Sequence, residues 1–189
     1  MLSITDLKIS TTFLLDNEPF EVLEYKHSHL GRGGSVVQVK IKNLLNGAVY
    51  NRNFKQADQF AEAEIEKIKA KFLYAHREQY FFCEESNPKN RFQFTANELD
   101  EQIKYLRPNL NLEILFFQDK SIGIALPIKV DLKVTEAPPG IKGNTAQGGT
   151  KIVTLETGVK VNAPLFINQD DVIRINTQSG EYVERVEKA

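Results

Sequence analysis

Two runs of alternating apolar and polar residues frame the reading of the chain. Phe20-Glu21-Val22-Leu23-Glu24-Tyr25 and Val37-Gln38-Val39-Lys40-Ile41-Lys42 have the period of two expected of half-buried strands. Between them lies Leu30-Gly31-Arg32-Gly33-Gly34, whose glycines supply the unhindered, positive-φ backbone of a tight reversal. Residues 26–55 therefore read as a long antiparallel hairpin with an arginine at its point.

The same pattern predicts strands on either side. Residues 12–15 form a run that turns at Asp16-Asn17-Glu18, and Leu45-Asn46-Gly47 signals a second tight turn before a strand over 48–54. With a short capped turn at Ser3-Ile4-Thr5-Asp6-Leu7, this gives about five short strands in some 60 residues, the pattern of a small barrel. Residues 56–64 are polar and fit the start of a helix, but they lead into a strand over 65–74. Further strands are expected at 80–83 and 91–94. The capping box Thr95-Ala96-Asn97-Glu98 starts a helix that places Leu99, Ile103 and Leu106 on one face and stops at Arg107-Pro108-Asn109. A hairpin across Gln118-Asp119-Lys120 completes a partly open five-stranded barrel.

Beyond Pro127, strands are expected at 128–134, 151–155, 159–161, 172–176 and 182–186, with turns at Glu156-Thr157-Gly158 and Gln178-Ser179-Gly180 and no helix. The reading is thus an all-β chain of three small barrels, at 1–64, 65–127 and 128–189.

Charge changes the picture in one place. The net charge is only -1, which argues against indiscriminate binding to nucleic acid. Yet residues 26–55 hold Lys26, Arg32, Lys40, Lys42, Arg52 and Lys55 and not one Asp or Glu. Such an arm suits a polyanion, RNA first. Lys40 and Lys42 fit equally well the solvated face of a strand, where lysines guard an edge against aggregation. Arg32 is harder to assign to its own fold, because a planar guanidinium on a glycine tip packs against little and is shaped for phosphate and base contacts.

Other chemistry is not visible. His27, His29 and His76 have no metal-site spacing, and Cys83, the sole cysteine, sits in the apolar run Tyr80-Phe81-Phe82-Cys83 as a core residue. There is no nucleophile elbow, Walker loop or dinucleotide fingerprint, and Asp170-Asp171 reads as a turn. The expectation is a protein with no cofactor, no metal and no catalytic constellation. No stretch approaches the run of about 20 apolar residues that crosses a bilayer, and the first residues lack the pattern of a secretory signal. A cytoplasmic protein without membrane contact is expected.

Four ordered motifs resemble the bacterial elongation factor P family along nearly the whole chain. They are His29-Leu30-Gly31-Arg32-Gly33-Gly34 followed by Val39-Lys40-Ile41-Lys42-Asn43-Leu44, then Glu136-Ala137-Pro138-Pro139-Gly140-Ile141-Lys142-Gly143-Asn144-Thr145, then Lys151 through Thr157-Gly158 to Ala163-Pro164-Leu165-Phe166, and finally Ser179-Gly180-Glu181-Tyr182. The resemblance implies an SH3-like, KOW-type N-terminal barrel followed by two OB-fold barrels, arranged as an L. It implies a monomeric translation factor, not an enzyme, that binds the 70S ribosome between the P and E sites and relieves stalling at consecutive prolines. Arg32 would meet the P-site tRNA, within a loop of His29, Leu30, Gly31, Gly33 and Gly34. Gly143, Asn144 and Thr145 would contact the small subunit and the exit-site codon.

Relatives with lysine at the tip extend it by β-lysylation or a related modification, whereas one subgroup has arginine and attaches rhamnose. Arg32 makes rhamnosylation, by an arginine rhamnosyltransferase, the modification to test, alongside use of the bare side chain. Leu30 departs from the proline common in the family, and Asn144 from the usual Asp. The competing reading is a general single-stranded nucleic-acid binder built of small barrels, which would need aromatic residues on exposed strand faces.

Overall fold

A computed structural model describes residues 1–30, 34–139 and 149–189, with the side chains of 28–30 and 34–35 left undescribed. The protein is nearly all-β. A four-stranded antiparallel sheet runs in the order β2 (Thr12–Leu15), β3 (Glu18–Leu30), β4 (Gly34–Asn43) and β5 (Val49–Lys55), and β1 (Leu2–Ser3) pairs with β6 (Gln59–Phe60). The sheet curls because the chain after β6 returns to the free edge of β2. The Leu14 amide donates to the Ala61 carbonyl at 2.8 Å, and Phe13 is bridged to Glu62. Phe13 fills the resulting core, with ring centroids 5.0, 6.1 and 6.2 Å from Phe60, Phe54 and Phe20.

Turn chemistry sets the register. Asp16 and Asn17 both have positive φ, the conformation that a two-residue hairpin loop requires and that these residue types tolerate. At the β4–β5 turn the buried Asn43 accepts through Oδ1 from the Leu45 and Asn46 amides and donates to Glu18, while Gly47 takes a φ of 74°. The N-terminal turn forms as expected, with the Asp6 carboxylate accepting from the Ser3 amide and hydroxyl.

The second sheet has the order β11 (Lys120–Ala125), β10 (Asn111–Phe117), β7 (Glu66–His76), β8 (Gln79–Glu84) and β9 (Arg91–Thr95). Residues 56–64 are not helical; they contain β6, and Phe60 points into the first core. The expected helix is also shorter than its pattern. Its capping box forms, with the Thr95 side chain accepting from the Glu98 amide, but α1 spans only Ala96–Leu99 before a 3-10 segment, Asp100–Tyr105. Asp100 has a φ of 48°, which breaks the 3.6-residue period. Leu99, Tyr105 and Leu106 are buried as a result, and Ile103 is only half-buried. Cys83 is buried among these strands.

The third sheet has the order β14 (Lys160–Pro164), β13 (Thr150–Leu155), β12 (Lys129–Glu136), β15 (Val172–Asn176) and β16 (Tyr182–Glu187). Its inner face is aliphatic, with Leu132, Val134, Val153, Ile173 and Ile175 fully buried. On the other face Arg174 is bidentate to Asp131, at 2.7 and 3.0 Å, and bonds Glu184 at 2.7 Å. By contacts the chain groups into two compact units, Met1–Ile68 with Ile114–Ile124 and Lys69–Glu113 with Ala125–Ala189. Among the described residues no helix is long and apolar enough to cross a membrane.

The turn before β15 carries a pH-dependent contribution. Asp171 is buried, which pushes its carboxyl up, but amides of Asn168 and Ala189 and the Arg185 guanidinium outweigh burial and hold it below its ordinary value of 3.8. A lowered carboxyl stabilises the fold above that value and loses the contribution as pH falls through the folded-state value. Asp171→Asn should therefore cost about 1–3 kcal/mol at pH 7 by leaving a buried donor unmatched. In thermal melts the gap between the two proteins should close in acid; a gap that persisted unchanged at pH 2.5 would show that the charge is not responsible.

Candidate functional site

The β3–β4 ladder outruns the core beneath it. Val22, Val37, Val39 and Ile41 are buried and Tyr25 packs beside them, but His27 is already exposed, and pairing continues to His29↔Ser35 and Leu30↔Gly34. From Glu24↔Lys40 through Tyr25↔Val39 and Lys26↔Gln38 to Leu30↔Gly34, the partner numbers are symmetric about position 32. The register thus puts residue 32 at the midpoint of the connection. Gly31, Arg32 and Gly33 themselves lie outside the described residues, as do Gly143, Asn144 and Thr145; His29, Leu30 and Gly34 are described by backbone alone.

The basic residues of the arm do not form one cluster. Alternation places Lys26, Gln38 and Lys40 on the outer face with Asn51 and Asn53 of β5, since Gln38 pairs with Asn53 and Lys40 with Asn51. Together with Glu24 they line an open depression of about 340 Å³. Lys42 stands beyond its end, between Glu21 and Val49, and Lys55 is opposite Val36. Arg52 pairs with buried Val39 and turns its guanidinium over the Tyr50 ring, 5.4 Å from the centroid, while still contributing to the lining of the depression.

The arm is acid-free along the chain but not in space. Lys40 donates to Glu24 at 3.1 Å, and that hydrogen bond holds the Glu24 carboxyl below its ordinary range. Both groups are exposed, so the pair adds little stability. Its effect is to offset one of the three lining cations, leaving Lys26 and Arg52 as the cations of the depression that make no ion pair among the described residues. The count over 26–55 missed Glu24 because it lies outside that window. A tip centred on residue 32 would have revealed it, since position 24 is the mirror of position 40.

Chemically, the depression offers the Lys26 ammonium, the Arg52 guanidinium, the Lys40 ammonium paired with Glu24, and three side-chain amides. That set donates to phosphate and ribose oxygens. Among the described residues no group of three His, Cys, Asp or Glu side chains is placed to hold a metal ion.

Family models match at both ends of the chain: the KOW-like domain of elongation factor P over residues 3–60 and the C-terminal part of elongation factor P over 130–185. Elongation factor P of Carboxydothermus hydrogenoformans is 39% identical over 186 residues, covering 98% of this chain and all of that protein. Elongation factor P of Moorella thermoacetica is 39% identical over 185 residues with the same coverage. Among solved structures, the protein titled eukaryotic translation initiation factor 5A from Methanococcus jannaschii aligns with a TM-score of 0.47 and 15% identity, over 66% of this chain and 91% of that one.

Proposed function

The chain belongs to the elongation factor P family of translation factors, and on that premise we propose that it binds the ribosome between the P and E sites and holds the P-site peptidyl-tRNA for peptide transfer. The observation that carries this reading is the ladder that runs past its own core and is symmetric about Arg32. A paired arm of that kind can present one side chain at a distance from the body of the fold. The outer-face depression, with Lys26 and three amides, would track phosphate and ribose behind the tip.

Proline is a constrained, poorly placed nucleophile. Holding the tRNA end in a productive geometry lowers the entropic part of the barrier to its reaction, while the bond chemistry stays with the ribosome. In this reading the working domains are 1–64, 65–127 and 128–189, the factor acts in the cytoplasm as a monomer, and the segment of Gly143, Asn144 and Thr145 meets the small subunit. Arg32 acts as rhamnosyl-arginine after modification by an arginine rhamnosyltransferase, since arginine cannot accept the acylation chemistry of a lysine tip.

Ribosomes translating a template with three consecutive proline codons test the proposal. Adding the factor purified from its own host should remove the pause at those codons, mapped by primer extension, and leave a proline-free template unchanged. Equal effects on both templates, or none on either, would contradict it. Charge reversal separates the lysines. Lys26→Glu should weaken ribosome binding roughly 3- to 10-fold, with a smaller salt dependence, and Glu24→Gln, which releases Lys40, should strengthen it. Filter-binding titrations at two salt concentrations read both; identical affinities for all three proteins would remove the depression from the RNA contact.

A further inference from the structure

We infer that the outer face of the second sheet is a separate contact for unpaired RNA bases, centred on Tyr74. Tyr74 and Phe81 are opposite one another across β7 and β8, with ring centroids 4.8 Å apart and planes inclined by 26°, a stacked pair. Phe81 is half-buried, but 47% of Tyr74 is exposed, so the stack ends on a ring open to solvent. An aromatic pair that served only the core would have turned its larger surface inward, as Phe72, Phe82 and Phe94 do on the opposite face.

The surroundings select the ligand. Tyr74 and Phe81 continue across the sheet to Gln93, and the neighbouring row on the same face is Lys71, Cys83 and Arg91. Over β7, β8 and β9 neither row holds a carboxylate. Lys71 approaches Glu85 from the end of the sheet at 3.9 Å, while Arg91 forms no ion pair among the described residues. A ring for stacking, an amide for a base edge and a guanidinium for phosphate are together the groups that single-stranded nucleic acid uses.

The position agrees with the fold. In chain order β8 and β9 are the second and third of the five strands of this sheet, and in OB-type barrels it is the face of the second and third strands that receives oligonucleotides. This contact is independent of the hairpin, so the two readings can fail separately.

The test uses the full chain, a fluorescein-labelled single-stranded RNA octamer and the same octamer with abasic positions throughout. Amide chemical-shift mapping should move residues 74, 81, 91 and 93 with the intact octamer and leave them in place with the abasic one. Tyr74→Ala should weaken binding about 10-fold, in line with the loss of one stacked base, whereas Tyr74→Phe keeps the ring and should bind like the parent. Shifts confined to the β3–β5 hairpin, equal binding of intact and abasic RNA, or an unaltered affinity in Tyr74→Ala would each overturn the inference. None of those results would touch the relief of proline pauses, which is read on ribosomes.

Discussion

Arg32→Ala should leave the fold unchanged and remove most of the stimulation of peptide transfer at consecutive prolines. The ladder is complete at Leu30↔Gly34 on one side of position 32, and the buried residues of β3 and β4 begin well behind it, so no packing of the described core depends on this side chain. Under the proposed function, what is lost is the charged donor that meets the P-site tRNA. Hydrogen bonds to charged groups contribute about 1.5–3 kcal/mol, so the rate of tripeptide formation should fall roughly 10- to 150-fold toward the rate without factor. Arg32→Lys keeps the charge but not the planar fork, and should recover only part of the rate. Stopped time courses of a proline tripeptide on reconstituted ribosomes measure this. An alanine variant as fast as the parent would move the working end elsewhere.

The largest effect on stability is expected from Phe13→Ala. Phe13 is fully buried and lies against Phe20, Phe54 and Phe60, so three rings border the void that its removal leaves. Phenylalanine-to-alanine changes in such cores cost about 3–5 kcal/mol through lost transfer energy and an uncollapsed cavity. The same strand also closes the barrel through the Leu14 amide and the Phe13–Glu62 bridge. Hydrogen exchange should lose protection across β2 to β5 in the variant and retain it in β12 to β16, whose core has no share in Phe13. Phe13→Leu, nearer in volume, should cost well under half as much. Uniform loss of protection in all sheets would mean that the chain unfolds as a single cooperative body.

Much of this architecture was legible in the sequence because alternation reports burial directly. The strands at 12–15 and 172–176 have the bounds that their patterns give, and the turns at Asp16-Asn17, Asn46-Gly47 and Gln118-Asp119 follow from residues that tolerate positive φ. The hairpin over 26–55 was legible from its glycine tip even though Ser28 and His29 carry no apolar signal, and backbone pairing continues through them to Leu30↔Gly34. Conversely, the apolar spacing of Leu99, Ile103 and Leu106 promised a helix that the backbone abandons at Asp100. Spacing records which residues are buried, not which hydrogen bonds carry the chain between them. β6 was missed for the opposite reason, because one buried Phe60 in a polar stretch gives no period at all.

The candidate site divides in the same way. Arg32 is conspicuous because glycines isolate it, and the lysines of the arm are conspicuous because acids are missing nearby along the chain. Asn51 and Asn53 were invisible, since outward polar residues on a strand look alike whether they meet water or a ligand. Glu24 was invisible until the register brought it to Lys40. The Tyr74–Phe81 stack depends on a bulge between Phe72 and Tyr74 that shifts the pairing by one residue, and no periodicity marks it.

The most direct test places a photo-crosslinking amino acid at Ser35, the pair of His29 beside the tip, and irradiates the factor on ribosomes that carry a P-site peptidyl-tRNA. The tip should become covalently attached to the acceptor end of that tRNA, and the product should disappear when the P site is empty. Crosslinks that form equally without the tRNA, or only to RNA and protein remote from the acceptor end, would contradict the claim that this hairpin positions the peptidyl-tRNA.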